Sequence, residues 1–233
     1  MKKIITVLIL STTFLFTHAQ ENIVKINLFA LGLSNISLQY ERSLNTHSSV
    51  ALGFSMLPSR SIPTFGQFET STPDYDFSKF EISGWSITPE YRYYFSNTGP
   101  KGFYVAPYFR YSSYSLDNFI VKYSSLTGGP KDNSSSISGT LNNTLFGLMF
   151  GSQWTLGDHW TLDWWIMGAG FGSQTATVSG TGTFSQQNQD DIKSSLAKVD
   201  SDVPGVDLTV TTSATNISVE YKSSLPAFRG GGL

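Results

Sequence analysis

Glu90 and Arg92 stand two residues apart in the stretch EISGWSITPEYRYYFS, Glu81 to Ser96. A carboxylate beside a guanidinium is raw material for acid–base chemistry or for an ion pair. Lys25, Glu41, Arg110 and Asp163 sit in similar alternating runs, so the set holds three cations and three anions. General acid–base and nucleophilic catalysis most often use a histidine as general base or orienter. Beyond residue 20 the chain has only His47 and His159, each in a short turn with no Ser–Asp constellation around it. Both read as surface turn residues; no catalytic residue is assigned, and the chain is expected not to be an enzyme. Asp190, Asp191, Asp200, Asp202 and Asp207 lack the one-three-five oxygen spacing with glycine of a calcium loop and read as solvated. GSQTATVSGTGTF is glycine-rich but sits in no βαβ unit, so it is not a phosphate loop. The chain has no cysteine, which removes disulfide scaffolds, Cys zinc sites and Cys nucleophiles together. No metal and no cofactor are expected.

The elements that would position the charged set repeat with period two. NIVKINLFALGL alternates Val24, Ile26 and Leu28 against Lys25 and Asn27; NISLQYERS sets Ile36, Leu38 and Tyr40 against Ser37, Gln39 and Glu41. SVALGFSML, the opening stretch, GFYVAPYFRYSSYS, NNTLFGLMFGSQW and WTLDWWIMGAG continue the pattern, making seven strands. LNTHSS, NTGPKG and GDH are tight turns, whereas most of the alternate connections are long and polar. Short turns at one end and long loops at the other mark an outer-membrane barrel, and a soluble up-and-down barrel has no reason to segregate loops this way. Tyr40, Tyr93, Phe95, Phe103, Trp154 and Trp160 lie near the short turns, where they would form an aromatic girdle at headgroup level.

That geometry decides which face is inside. Lipid costs about 2–4 kcal/mol for each Arg or Lys at mid-depth, so Lys25, Glu41, Glu90, Arg92, Arg110 and Asp163 should face inward as an ion network. Glu90 and Arg92 are same-face neighbours, joined by Glu41 or Arg110 across the barrel. About eight strands leave just enough room for side chains, so balanced charges would plug the lumen, with Tyr104, Tyr108, Trp165 and Met167. In a transport protein the same charges would read as a selectivity ring. Pro89 and Pro107 each require a bulge or a missing hydrogen bond.

Lys2 and Lys3, the run IITVLILSTTFLF and the small residue Ala19 read as a secretory signal peptide over residues 1–20, too short for a membrane anchor. The net charge of −2 gives no sign of a nucleic-acid partner.

NIVKINLFALGLSNISLQYERSLNTHSSVALGF, ITPEYRYYFS and GFYVAPYFRY resemble a family of small outer-membrane barrels, domain-of-unknown-function family thirty-five seventy-five, similar in architecture to OmpA-type and OmpX-type barrels. The resemblance implies location and fold and carries no activity. Such chains close with a final amphipathic strand ending in an aromatic residue that the outer-membrane assembly machinery recognises. Here LPAFRGGGL stands instead, after VDLTVTTSATNISVEYK, which has few large apolar residues. By that analogy, the expected organisation is seven barrel strands over 21–172, a long extracellular loop with a short helix (Ile192, Leu196 and Val199 on one face) and a β-arm over 173–229, and the start of a truncated final strand over 230–233. The alternative is that Val206 to Lys222 itself closes the barrel.

The expected fold is all-β: an antiparallel up-and-down transmembrane β-barrel of about eight strands, the final one missing or incomplete. The expected protein is a plugged, non-enzymatic barrel in the outer membrane of a Gram-negative cell, in contact with outer-membrane lipid and the assembly machinery. Its loops would serve an extracellular partner, adhesion or envelope integrity. A small pore and a secreted soluble ligand-binding barrel are the alternatives.

Overall fold

In a computed structural model of the chain, the described residues are 22–61, 75–76, 80–123, 133–157, 159–182, 186, 189–190, 193–194 and 206–229. The signal-peptide residues, Ile192, Leu196, Val199 and 230–233 lie outside them. Val24, Ile26 and their polar neighbours form β1 (Asn22–Ile26). The strand expected to continue through Leu28 instead stops there: Asn27 caps a short helix, α1 (Leu28–Gly32), its side-chain oxygen accepting from Ala30 N at 2.8 Å. The remaining strands are β2 (Ile36–Ser43), β3 (Ser48–Ser61), β4 (Tyr75–Asp76), β5 (Glu81–Tyr94), β6 (Gly102–Tyr123), β7 (Asn133–Leu156), β8 (Trp160–Thr181), β9 (Val206–Thr212) and β10 (Asn216–Arg229).

They form one antiparallel sheet in the order β1-β2-β3-β5-β6-β7-β8-β10-β9, with β4 off that path against β6. The fold is all-β and up-and-down. Eight lanes make the wall, β1 at one end and β10 at the other, while β9 pairs only with the upper part of β10. Among the described residues β1 pairs with no strand but β2, so the sheet is not closed.

The polar connections are shorter than the sequence pattern suggests. Most of LDNFIVKYSSLTGGPKDNSSSISG is strand, because β6 runs up to Tyr123 and β7 begins at Asn133. Likewise β8 continues past residue 172 to Thr181. Ser, Thr and Tyr pair readily when neighbouring strands satisfy their backbones, and no apolar face is needed where both sides are wet. Residues 186, 189, 190, 193 and 194 are helical, inside the run expected to form a loop helix. The β-arm is a hairpin, and Asn216 to Lys222 is the upper part of the eighth lane itself.

The short turns stand where expected, and Gly99 and Gly157 supply the positive φ (88° and 67°) that two of them need. Pro89 and Pro107 sit on adjacent strands. The β5–β6 register is the same on either side of them (Ile87 opposite Tyr111, Glu90 opposite Tyr108, Tyr93 opposite Val105). The prolines therefore interrupt the ladder without a bulge. A bulge does occur in β8: Trp165 pairs with Gly151 and Met167 with Phe150, leaving Ile166 unpaired between them. The extra residue switches the face, so Met167 points outward, 58% exposed, and not into the interior as its period-two position predicted.

Candidate functional site: a buried ion network

The faces of the wall separate by chemistry. Val24, Tyr40, Leu52, Trp85, Tyr93, Phe95, Phe103, Phe146, Trp154 and Trp160 lie on the exposed face, and the six expected girdle residues are all among the exposed large side chains. The buried face carries Gln39, Glu41, Ser49, Thr88, Glu90, Arg92, Gln153 and Asp163. Alternation in each strand produces this split, since successive side chains point to opposite faces.

Arg92, fully buried on β5, is the hub. Its Nη1 donates to Asp163 Oδ2 at 2.6 Å on β8 and to Glu41 Oε2 and Gln153 Oε1 at 3.3 Å on β2 and β7. Its Nη2 donates to Glu90 Oε2 at 2.9 Å and Gln39 Oε1 at 2.8 Å, and its Nε reaches Glu90 Oε2 at 3.1 Å. The guanidinium also lies over the Tyr104 ring, 4.6 Å from its centroid. Lys25 on β1 donates to Glu41, to Asp163 Oδ2 at 2.7 Å and to Gln153 Oε1 at 2.5 Å. Tyr94 OH donates to Glu41 Oε1 at 2.6 Å, Tyr104 OH to Asp163 Oδ1 at 2.9 Å, and Ser49 Oγ to Glu41. Gln153 Nε2 donates to Pro100 O at 2.6 Å, tying the network to the β5–β6 turn.

Five of the six charged residues expected to face inward thus meet in one cluster. Arg110 does not. It lies two residues above Tyr108, the partner of Glu90, half-buried and with no ion pair among the described residues. Without it the cluster holds two cations and three carboxylates. Gln39, Ser49, Tyr94 and Gln153 complete the network, unforeseen as members. Their signal was parity, because each falls on the same face as Glu41 or Arg92. Lysine and arginine side chains from β1 and β5 reaching a carboxylate on β8 also require the sheet to curl around its polar face.

Tyrosine rings fill the space beside the cluster. Tyr104 lies against Gly151, and Tyr108 against Gly147 and Gly170, where a Cβ would collide with the ring. Tyr94, Tyr104, Ala106, Tyr108 and Met149 form a buried group with Trp165 packed on it. A guanidinium with every N–H group pointed at an acceptor is a structural hub, with no open position for a reacting molecule. His47 Nε2 donates to Asn97 Oδ1 at 2.7 Å and the ring stacks on Tyr93, and His159 is an exposed turn residue. Among the described residues no group of three or more His, Cys, Asp or Glu side chains could hold a metal ion.

These features define a class: an all-β, up-and-down antiparallel sheet with an apolar exterior and an ionic interior. The chain belongs to the family described as Protein of unknown function (DUF3575), whose model matches residues 4–195. No curated protein and no solved structure matches it.

Proposed function

We propose that this protein is a non-enzymatic β-barrel of the outer membrane of a Gram-negative cell, exported through the signal peptide at residues 1–20. Its lumen is shut by the Arg92 network, and its upper strands stand outside the cell for surface interaction, adhesion or envelope integrity. One observation carries the reading: the outward apolar belt. Trp85 to Tyr93, Phe103 to Tyr111 and Phe146 to Trp154 each span nine residues with apolar side chains outward at almost every second position. A membrane-crossing β-strand needs about 9–11 residues. Soluble proteins do not leave so continuous an apolar surface in water. Outer-membrane lipid is then the main partner, and the assembly machinery inserts the chain. Above the belt both faces are rich in Ser, Thr, Gly and Asn, as suits a surface in water. The Arg92 cluster and the tyrosines packed beside it favour a plug over a conducting pore.

The test is fractionation of cells expressing the full chain, followed by electrophoresis with and without heating and by planar-bilayer recording. The expected result is an outer-membrane, detergent-requiring protein with heat-modifiable mobility and no steady current. A protein that stays soluble without detergent would overturn the membrane reading, and steady open channels would overturn the plug.

A further inference from the structure

The helix α1 between β1 and β2 has no polar side. Leu28, Phe29, Leu31 and the following Leu33 are between 45% and 62% exposed, and no residue of α1 is buried. Ile26 to Asn35 contains no charged residue, whereas LNTHSS, NTGPKG, GDH and the long connections are polar. A helix that is apolar on every side belongs in a protein core or in a membrane.

Its backbone is closed to match. Asn27 N donates to Ser37 O at 2.9 Å, and the Asn27 side chain and carbonyl accept from Ala30 N and Leu31 N. At the other end Leu33 N and Asn35 N donate to Ala30 O, and Ser34 N donates to Leu31 O. Ser34 takes the positive φ (59°) that lets the chain turn back in this way. The connection therefore meets its hydrogen-bonding needs from within, as backbone in lipid must.

Depth can be read from β2. It has eight residues, from Ser43 beside a short turn up to Ile36. At the usual rise and tilt they gain about 20 Å of height, less than an apolar band of about 25 Å. The outer face of β2 is still apolar at its last residue, since Leu38 and Ile36 are exposed, as is Met56 opposite Ile36. The belt has not ended where α1 begins. By contrast β6, β7 and β8, of 22 to 24 residues, rise well beyond it.

We propose that α1 is immersed among the acyl chains of the outer leaflet, so that the rim of the wall at β1 and β2 lies inside the bilayer while the other lanes stand above it. The partner of this surface is lipid. The proposal rests on the membrane reading and adds to it the depth of one connection. A helix about 10 Å across is enough to span the height that β2 leaves uncovered.

The chain has no cysteine, so single Cys residues can report position. Phe29→Cys and Leu31→Cys probe α1, Phe146→Cys the belt and Thr140→Cys the exposed upper part of β7. Each full-length variant is nitroxide-labelled and reconstituted in phosphatidylcholine vesicles, and heat-modifiable mobility checks its fold. Collisions with oxygen and with a water-soluble nickel chelate are then compared. The oxygen-to-nickel ratio at both α1 sites should match that at Phe146 and exceed that at Thr140 several-fold. A water-like ratio at α1 with a lipid-like ratio at Phe146 would overturn the immersion and leave the membrane reading standing. Protection of α1 from both probes would also overturn it. Protection lost on dilution with lipid would assign the surface to a second copy, and protection that persists would assign it to the chain's own loops. A water-like ratio at all four sites would sink the membrane reading itself.

Discussion

The lower and upper halves of the long strands use the same backbone for opposite purposes. From Trp160 to Phe171, β8 sets Trp160, Leu162, Trp164 and Phe171 outward and Asp163 and Trp165 inward. From Ser173 to Thr181 the same strand carries Ser, Thr, Gln and Gly on both faces. Below, inside and outside are chemically different and the wall separates them. Above, they are alike. Apart from the bulge at Ile166, the pairing with β7 runs from one half of β8 into the other in a single register from Met167 to Thr181, so the change of surroundings is written in side chains and not in backbone.

The contrast can be broken most severely at the hub. Arg92→Leu would leave Glu41, Glu90 and Asp163 buried with Lys25 as the remaining cation. Removing one partner of a buried ionic group costs about 3–5 kcal/mol. Unfolding in detergent should show a loss of that order, and an unchanged midpoint would mean that the cluster does not hold the wall. Next in size is a pair of substitutions on the outer face, one in each half. Leu148→Arg, in the middle of the belt, should cost about 2–4 kcal/mol if lipid covers it. Val178→Arg, in the upper half, should stay within about 0.5 kcal/mol. Equal costs would erase the distinction between the halves. Below the cost of Leu148→Arg comes that of Gly151→Ala. A Cβ there meets the Tyr104 ring, which must shift away from Asp163, an overpacking cost of about 1–3 kcal/mol. Tyrosine fluorescence and the unfolding midpoint would register it, and Gly157→Ala, with open space around its Cβ but a positive φ, serves as the backbone-strain control.

Much of the lower half was legible along the chain. Period-two alternation identified the polar face of every lower strand, and charge cost identified it as the inner face. Glu90 and Arg92 were paired by their spacing alone. The misses have specific causes. Met167 falls on the polar side of a strict alternation, and only the unpaired Ile166 turns it outward. Arg110 has the right parity but the wrong height, and height depends on the registers of β5, β6 and β7 together. The upper strands were read as loops because they lack an apolar face, although pairing satisfies their backbones just as well.

Local pattern therefore determined strand positions, the short turns and which side chains share a face, because alternation and turn chemistry act between near neighbours. Tertiary structure decided which charges meet. Lys25 and Asp163 lie 138 residues apart, and Arg92 and Asp163 lie 71 apart. Their contact depends on how far each strand slides against the next and on how tightly the sheet curls, quantities that accumulate across all the lanes between β1 and β8 and belong to no single stretch of sequence.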